Sequence, residues 1–149
     1  MILLVHLLFG AAIGSAINNP AIAILLAFLG HYFLDFLPHI EYPIENITKK
    51  QWRKTVPEFI NIGLDFFSGL FFILLLSNNQ PIVYFCAFFA ILPDGLSFLG
   101  SITKNTMLQK HSNFHQIKIH LFKNKKISNF WRIFSQIAVI AISIAILKI

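Results

Sequence analysis

The sequence predicts an all-α integral membrane protein: about five transmembrane helices, arranged as two tandem helical hairpins and a C-terminal anchor helix. Three observations carry this expectation. Hydrophobic residues make up 56% of the 149 and charged residues 12%, against a globular norm of about 25% charged. The mean hydropathy is +0.71, too high for a chain of this size to cover itself with polar surface. The apolar residues also fall into helix-length runs separated by short polar turns. One domain is expected. The single cysteine, Cys86, excludes an internal disulfide. Met1 to Leu8 has no lysine or arginine, so the first apolar run is read as structural rather than as a cleaved leader.

The first helix is expected at about 2–17. It aligns His6, Gly10 and Gly14, and the GxxxG pair lets a neighbouring helix approach closely. Asn18-Asn19-Pro20 makes a turn, and a second helix follows at about 21–37. The segment at about 41–56 is polar and carries Lys49, Lys50, Trp52, Arg53 and Lys54, the composition of an interfacial stretch. A third helix at about 57–76 contains Asp65. After a second turn at Ser77–Gln80, a fourth helix at about 82–92 is expected to break at Pro93, beside Asp94. A basic connector at about 101–128 holds His111, His115 and His120, and an anchor helix at about 129–147 ends the chain.

The two hairpins read as an internal repeat. Each has a ligand-type residue with glycine four positions later (His6, Gly10; Asp65, Gly69), an Asn-Asn turn closing on proline, and an arm ending Leu-Pro-His39 or Leu-Pro-Asp94. Paired repeats with broken helices at their interface are a known way of building a membrane site.

The stretch Gly30 to Tyr42, GHYFLDFLPHIEY, places His31, Asp35 and His39 at i, i+4 and i+8, along one helical face. Ionisable residues in an apolar segment are costly and read as functional. Depth brings the other candidates to the same layer. At 1.5 Å per residue, His6 lies roughly 18 Å from the first turn, His31 and Asp35 roughly 17–22 Å, and Asp65 and Asp94 roughly 20 Å from the second. His39, His111 and His115 come from connectors on that side. The expected metal ligands are therefore His6, His31, Asp35, His39, Asp65, Asp94, His111 and His115. Imidazole with carboxylate favours zinc, with manganese, nickel or iron compatible. Asp35 and Glu41 are the candidates for a general base. His120 stands one step out of phase with His115 and is read as surface.

The two turns hold no Lys or Arg, and eleven of the twelve are expected on the opposite face, so the positive-inside rule makes that face, and the site, cytoplasmic in an inner membrane. The basic connectors suit anionic lipid head groups. No aromatic-interleaved nucleic-acid module is present, so nucleic acid is not expected as a partner.

With these residues assembled, the chain resembles the family of membrane-bound metal-dependent hydrolases that includes the LexA-regulated inner-membrane proteins. The resemblance lies in His6 with Gly10, in Pro93-Asp94, in His111 with His115, and in the GHYFLDFLPH segment, which is similar to short relatives. Asp35-Phe-Leu-Pro-His39 and Pro93-Asp94-Gly stand where the family has a fuller Pro-Asp-x-Asp-His element. The resemblance implies metal-dependent hydrolysis. The site's depth and the nearby cations imply an amphiphilic substrate such as a phospholipid or other phosphate ester. Two other readings fit the same residues: an ion or proton path, and a non-catalytic protein with a structural His/Asp cluster.

Overall fold

The computed structural model describes residues 1–42, 51–120 and 127–148. The expected interfacial segment at 41–56 and the connector at 101–128 thus lie partly outside the described residues, including Glu45, Lys49, Lys50, Lys123, Lys125 and Lys126. All regular structure among the described residues is helical: α1 (Leu3–Ala16), α2 (Pro20–Phe36), α3 (Val56–Leu76), α4 (Pro81–Ile102), α5 (Thr106–Phe114) and α6 (Asn129–Leu147). A 3-10 turn at Trp52–Lys54 precedes α3, and a π turn at His115–Ile119 follows α5.

Local chemistry sets the helix starts. The Asn19 side chain accepts from the amides of Ala21 and Ile22, and Pro20 occupies the first turn of α2, where its missing N–H is no loss. Asn105 caps α5 in the same way through Met107 and Leu108. Proline also opens α3 and α4. Asn79, before α4, takes a positive φ of 54°, which asparagine tolerates.

Three helices, α3, α4 and α6, are long and apolar enough to cross a membrane, with 21, 22 and 19 residues. The helices α1 and α2 are apolar but shorter, at 14 and 17 residues, or about 21 and 25 Å against a hydrocarbon core of about 30 Å. The expected five spans are thus three full-length candidates and two short apolar helices. The expected break at Pro93 is also corrected: α4 runs on as one helix to Ile102 with Pro93 inside it. Proline removes one N–H and strains the preceding turn without ending the helix here. The carbonyl of Ala90, in that turn, accepts from His31 Nδ1 at 2.7 Å.

The hub is α1, which packs against α2, α3, α4 and α6. It is buried on most of its circumference, through Val5, His6, Leu7, Leu8, Gly10, Ala11, Ala12 and Gly14. The arms of the second hairpin, α3 and α4, pack mainly on α1. The outer helices turn apolar side chains outward: Phe67 on α3 is 69% exposed, with Leu64, Phe71, Phe85, Phe88 and Ile137 also exposed. Such a surface is compatible with a lipid environment.

The GxxxG pair brings α1 into close contact with α4. A Cβ at Gly10 would stand 2.5 Å from the Cys86 carbonyl and 2.6 Å from Ala90 Cβ; one at Gly14 would meet the Ile82 carbonyl at 2.9 Å. Gly10→Ala is therefore expected to destabilise the bundle by about 1–3 kcal/mol through overpacking. Gly63→Ala, where nothing lies within 4 Å, should be neutral or stabilising by up to ~1 kcal/mol. Thermal melts in detergent would compare the two.

Candidate metal centre

Asp35 lies on the last turn of α2 and is 1% exposed. A buried carboxylate needs partners, and five of the six histidines supply them. His6 Nε2 stands 3.1 Å from Asp35 Oδ1, His31 Nε2 3.1 Å from Oδ2, His115 Nε2 3.2 Å from Oδ2, His120 Nε2 3.3 Å from Oδ2 and His39 Nε2 3.9 Å from Oδ1. The amino group of Met1 also bonds Asp35 Oδ1. His31 and His115 bring their Nε2 atoms to 3.0 Å of each other, and Asp94 Oδ1 lies 3.8 Å from His31 Nε2.

Three of these rings are held from behind. His31 Nδ1 donates to the Ala90 carbonyl at 2.7 Å, His39 Nδ1 to the Leu37 carbonyl at 2.6 Å and His120 Nδ1 to Glu41 Oε1 at 2.9 Å. Committing Nδ1–H leaves Nε2 as the lone-pair nitrogen, which is how metal-ligating histidines are oriented. Hydrogen bonding does not satisfy what faces inward: His39 Nε2, His120 Nε2 and Asp35 Oδ2 are buried without a hydrogen-bond partner. Leaving such groups unmet costs about 1–3 kcal/mol each.

The spacing fits a cation. Four ligands about 2.0–2.1 Å from a tetrahedral zinc lie roughly 3.3 Å from one another, and the closest nitrogen–carboxylate contacts here run from 3.1 to 3.3 Å. Two sets of donor atoms among the described residues lie within 4.8 Å of one another: His6, His31, Asp35 and Asp94, and Asp35, His39 and His120.

The sequence-predicted residues are thus divided. His6, His31, Asp35, His39 and Asp94 fall in these sets, and His115 touches both His31 and Asp35. His111 falls outside them because its ring is already engaged: Nε2 is 3.0 Å from the Tyr32 hydroxyl and Nδ1 3.4 Å from Ser97 Oγ. Burial and the neighbouring His115 and His31 push its pKa down.

Asp65 also falls outside them. Its carboxylate accepts from the Leu4 amide at 2.8 Å and from the Tyr42 hydroxyl. The Leu3 amide donates to Tyr42 Oη at 3.1 Å, and the Ile2 amide reaches Gln136 Oε1 at 3.4 Å. Asp65 therefore answers the free amides and positive end of α1, one turn before His6. Burial and the Asp65 hydrogen bond raise the Tyr42 pKa.

His120, expected on the surface, is 8% exposed and part of the cluster. Five residues on an α-helix leave two side chains about 140° apart. The π turn at His115–Ile119 winds more widely, and the His120 amide bonds the His115 carbonyl at 3.4 Å. Both rings then reach Asp35. Burial works against charge on His120, but Asp35 and Glu41 outweigh it and push its pKa up to about 9. A bound cation would reverse that balance.

Comparison with protein-family models, curated proteins and solved structures returned no match.

Asp65→Ala is expected to lower stability by about 1–2 kcal/mol, the scale of a lost helix cap. Its metal content should stay that of the parent protein. A melt beside elemental analysis of the same sample reads both.

Proposed function

We propose that this chain is a multi-pass inner-membrane protein with a divalent metal centre on Asp35, and that it hydrolyses the phosphate ester of an amphiphile. The observation that supports it most is the convergence of five imidazoles on one buried carboxylate, three of them tethered through Nδ1. His6, His31, Asp35 and Asp94 would hold the ion, with His115 at their edge. The imidazole-rich donor set favours zinc, with manganese, nickel or iron compatible. The resemblance to membrane-bound metal-dependent hydrolases points the same way.

A cavity of about 300 Å³ supports the substrate class. Glu41, Asp94 and His120 line it together with Phe59, Ile62 and Phe98. A polar head group meets carboxylates and imidazole there, while an acyl chain meets α3 and α4. The apolar outer faces support a cavity within reach of lipid, and the sparing of the two turns by Lys and Arg supports a site on the cytoplasmic side. The first two helix pairs read as a repeat whose two members meet at this site.

A bound divalent ion supplies a water acidified toward neutral pH. Asp35, approached on both oxygens, serves as ligand and not as base. Glu41 lines the cavity and accepts from His120, so its carboxylate is placed to take a proton from the nucleophile.

The test is metal content and turnover of the detergent-purified protein. Near-stoichiometric metal, lost in His31→Ala and Asp35→Asn, and chelator-sensitive hydrolysis of phospholipid or aryl phosphate esters are expected. Absence of bound metal, and no turnover with zinc, manganese, nickel or iron, would refute the reading. In a second measurement, Glu41→Gln at saturating metal should lose about 10²–10⁴-fold in kcat, the span of general-base catalysis.

A further inference from the structure

We infer that the centre holds two divalent ions, with Asp35 shared between them. This second position rests on the metal-centre reading above and adds one site to it. The first set of donors is His6, His31, Asp35 and Asp94, and the second is Asp35, His39 and His120. Together they offer six residues, and His115 stands 3.2 Å from the shared carboxylate. A zinc ion takes four ligands and sometimes five, so one ion cannot use them all.

The second set has its own marks of a site. His39 Nε2 and His120 Nε2 are both buried without a hydrogen-bond partner. Each ring is held through Nδ1, by the Leu37 carbonyl and by Glu41. Both anchors belong to the segment after α2. The Ala90 carbonyl that holds His31 belongs to α4. The two sets are thus braced by different parts of the fold.

Asp35 is suited to a shared role. Its Oδ1 faces His6 at 3.1 Å, while Oδ2 faces both His31 at 3.1 Å and His120 at 3.3 Å. One carboxylate common to both sets keeps the two positions adjacent, and paired catalytic ions stand about 3.5–4 Å apart. Paired ions of this kind clamp both the attacking and the leaving oxygen of a phosphoryl group. That chemistry suits the phosphate ester of the proposed substrate.

The test uses the full chain in detergent, stripped with chelator and reloaded with Zn(II) or Mn(II). Elemental analysis should give two ions per chain in the parent and one in both His39→Ala and His120→Ala. Asp35→Asn should bind none. Retention of two ions by His120→Ala would overturn its assignment. One ion per chain in the parent, unchanged by His39→Ala and His120→Ala, would overturn the second position and leave the centre standing. No ion in the parent would overturn the centre itself. Electron paramagnetic resonance of the Mn(II)-loaded parent does not depend on any variant folding. With unbound Mn(II) removed, a spin-coupled pair signal is expected, and an isolated six-line signal from protein-bound Mn(II) at full loading would refute the pair.

Discussion

The buried carboxylate of Asp35 is the constraint that organises the molecule. A lone carboxylate in an apolar bundle costs several kcal/mol unless it is met by charge and hydrogen bonds. Meeting it draws in His6 from α1, His31 from its own helix, His39 from the following segment, His115 from the π turn and His120 just beyond it. Five segments are thereby fixed in relation to one point.

Holding that point requires α1 to be rigid in two ways. Along its length, Gly10 and Gly14 let α4 approach until backbone meets backbone, which fixes His6 relative to the Ala90 carbonyl and Asp94. At its start, Asp65, Tyr42 and Gln136 take the first amides. These three come from α3, from the segment after α2, and from α6. A histidine one turn into a helix is only as well placed as the end of that helix, so the cap orients His6 toward Asp35 without touching it.

Much of this was legible in the sequence, and the failures share a cause. The i, i+4 spacing of His31 and Asp35 is a property of any α-helix, and equal depth from two turns is a property of hairpins. Both are local, and both carried His6, Asp35 and Asp94 to one layer. Asp65 lay in that layer too, but depth does not fix azimuth, and its carboxylate met the end of α1 instead. Pro93 signals weakened backbone bonding, not a helix end; whether the helix continues depends on neighbours such as His31. His111 has the right spacing to His115 but was already committed to Tyr32. The sequence has no mark of the π turn, so counting residues at 3.6 per turn left His120 outside.

That π turn has a genetic consequence. Wide turns of this kind amount to one residue inserted into an ordinary helix, often at functional sites. His115 lies at the start of the insertion and His120 just past its end. A deletion of one codon between them would leave the two histidines four residues apart, and at roughly 100° per residue an ordinary helix then keeps both rings within about 40° of one face. The pairing of His115 with His120 is thus available to either winding. The inserted and the regular forms of this segment are neighbours in sequence space, separated by length rather than by any substitution.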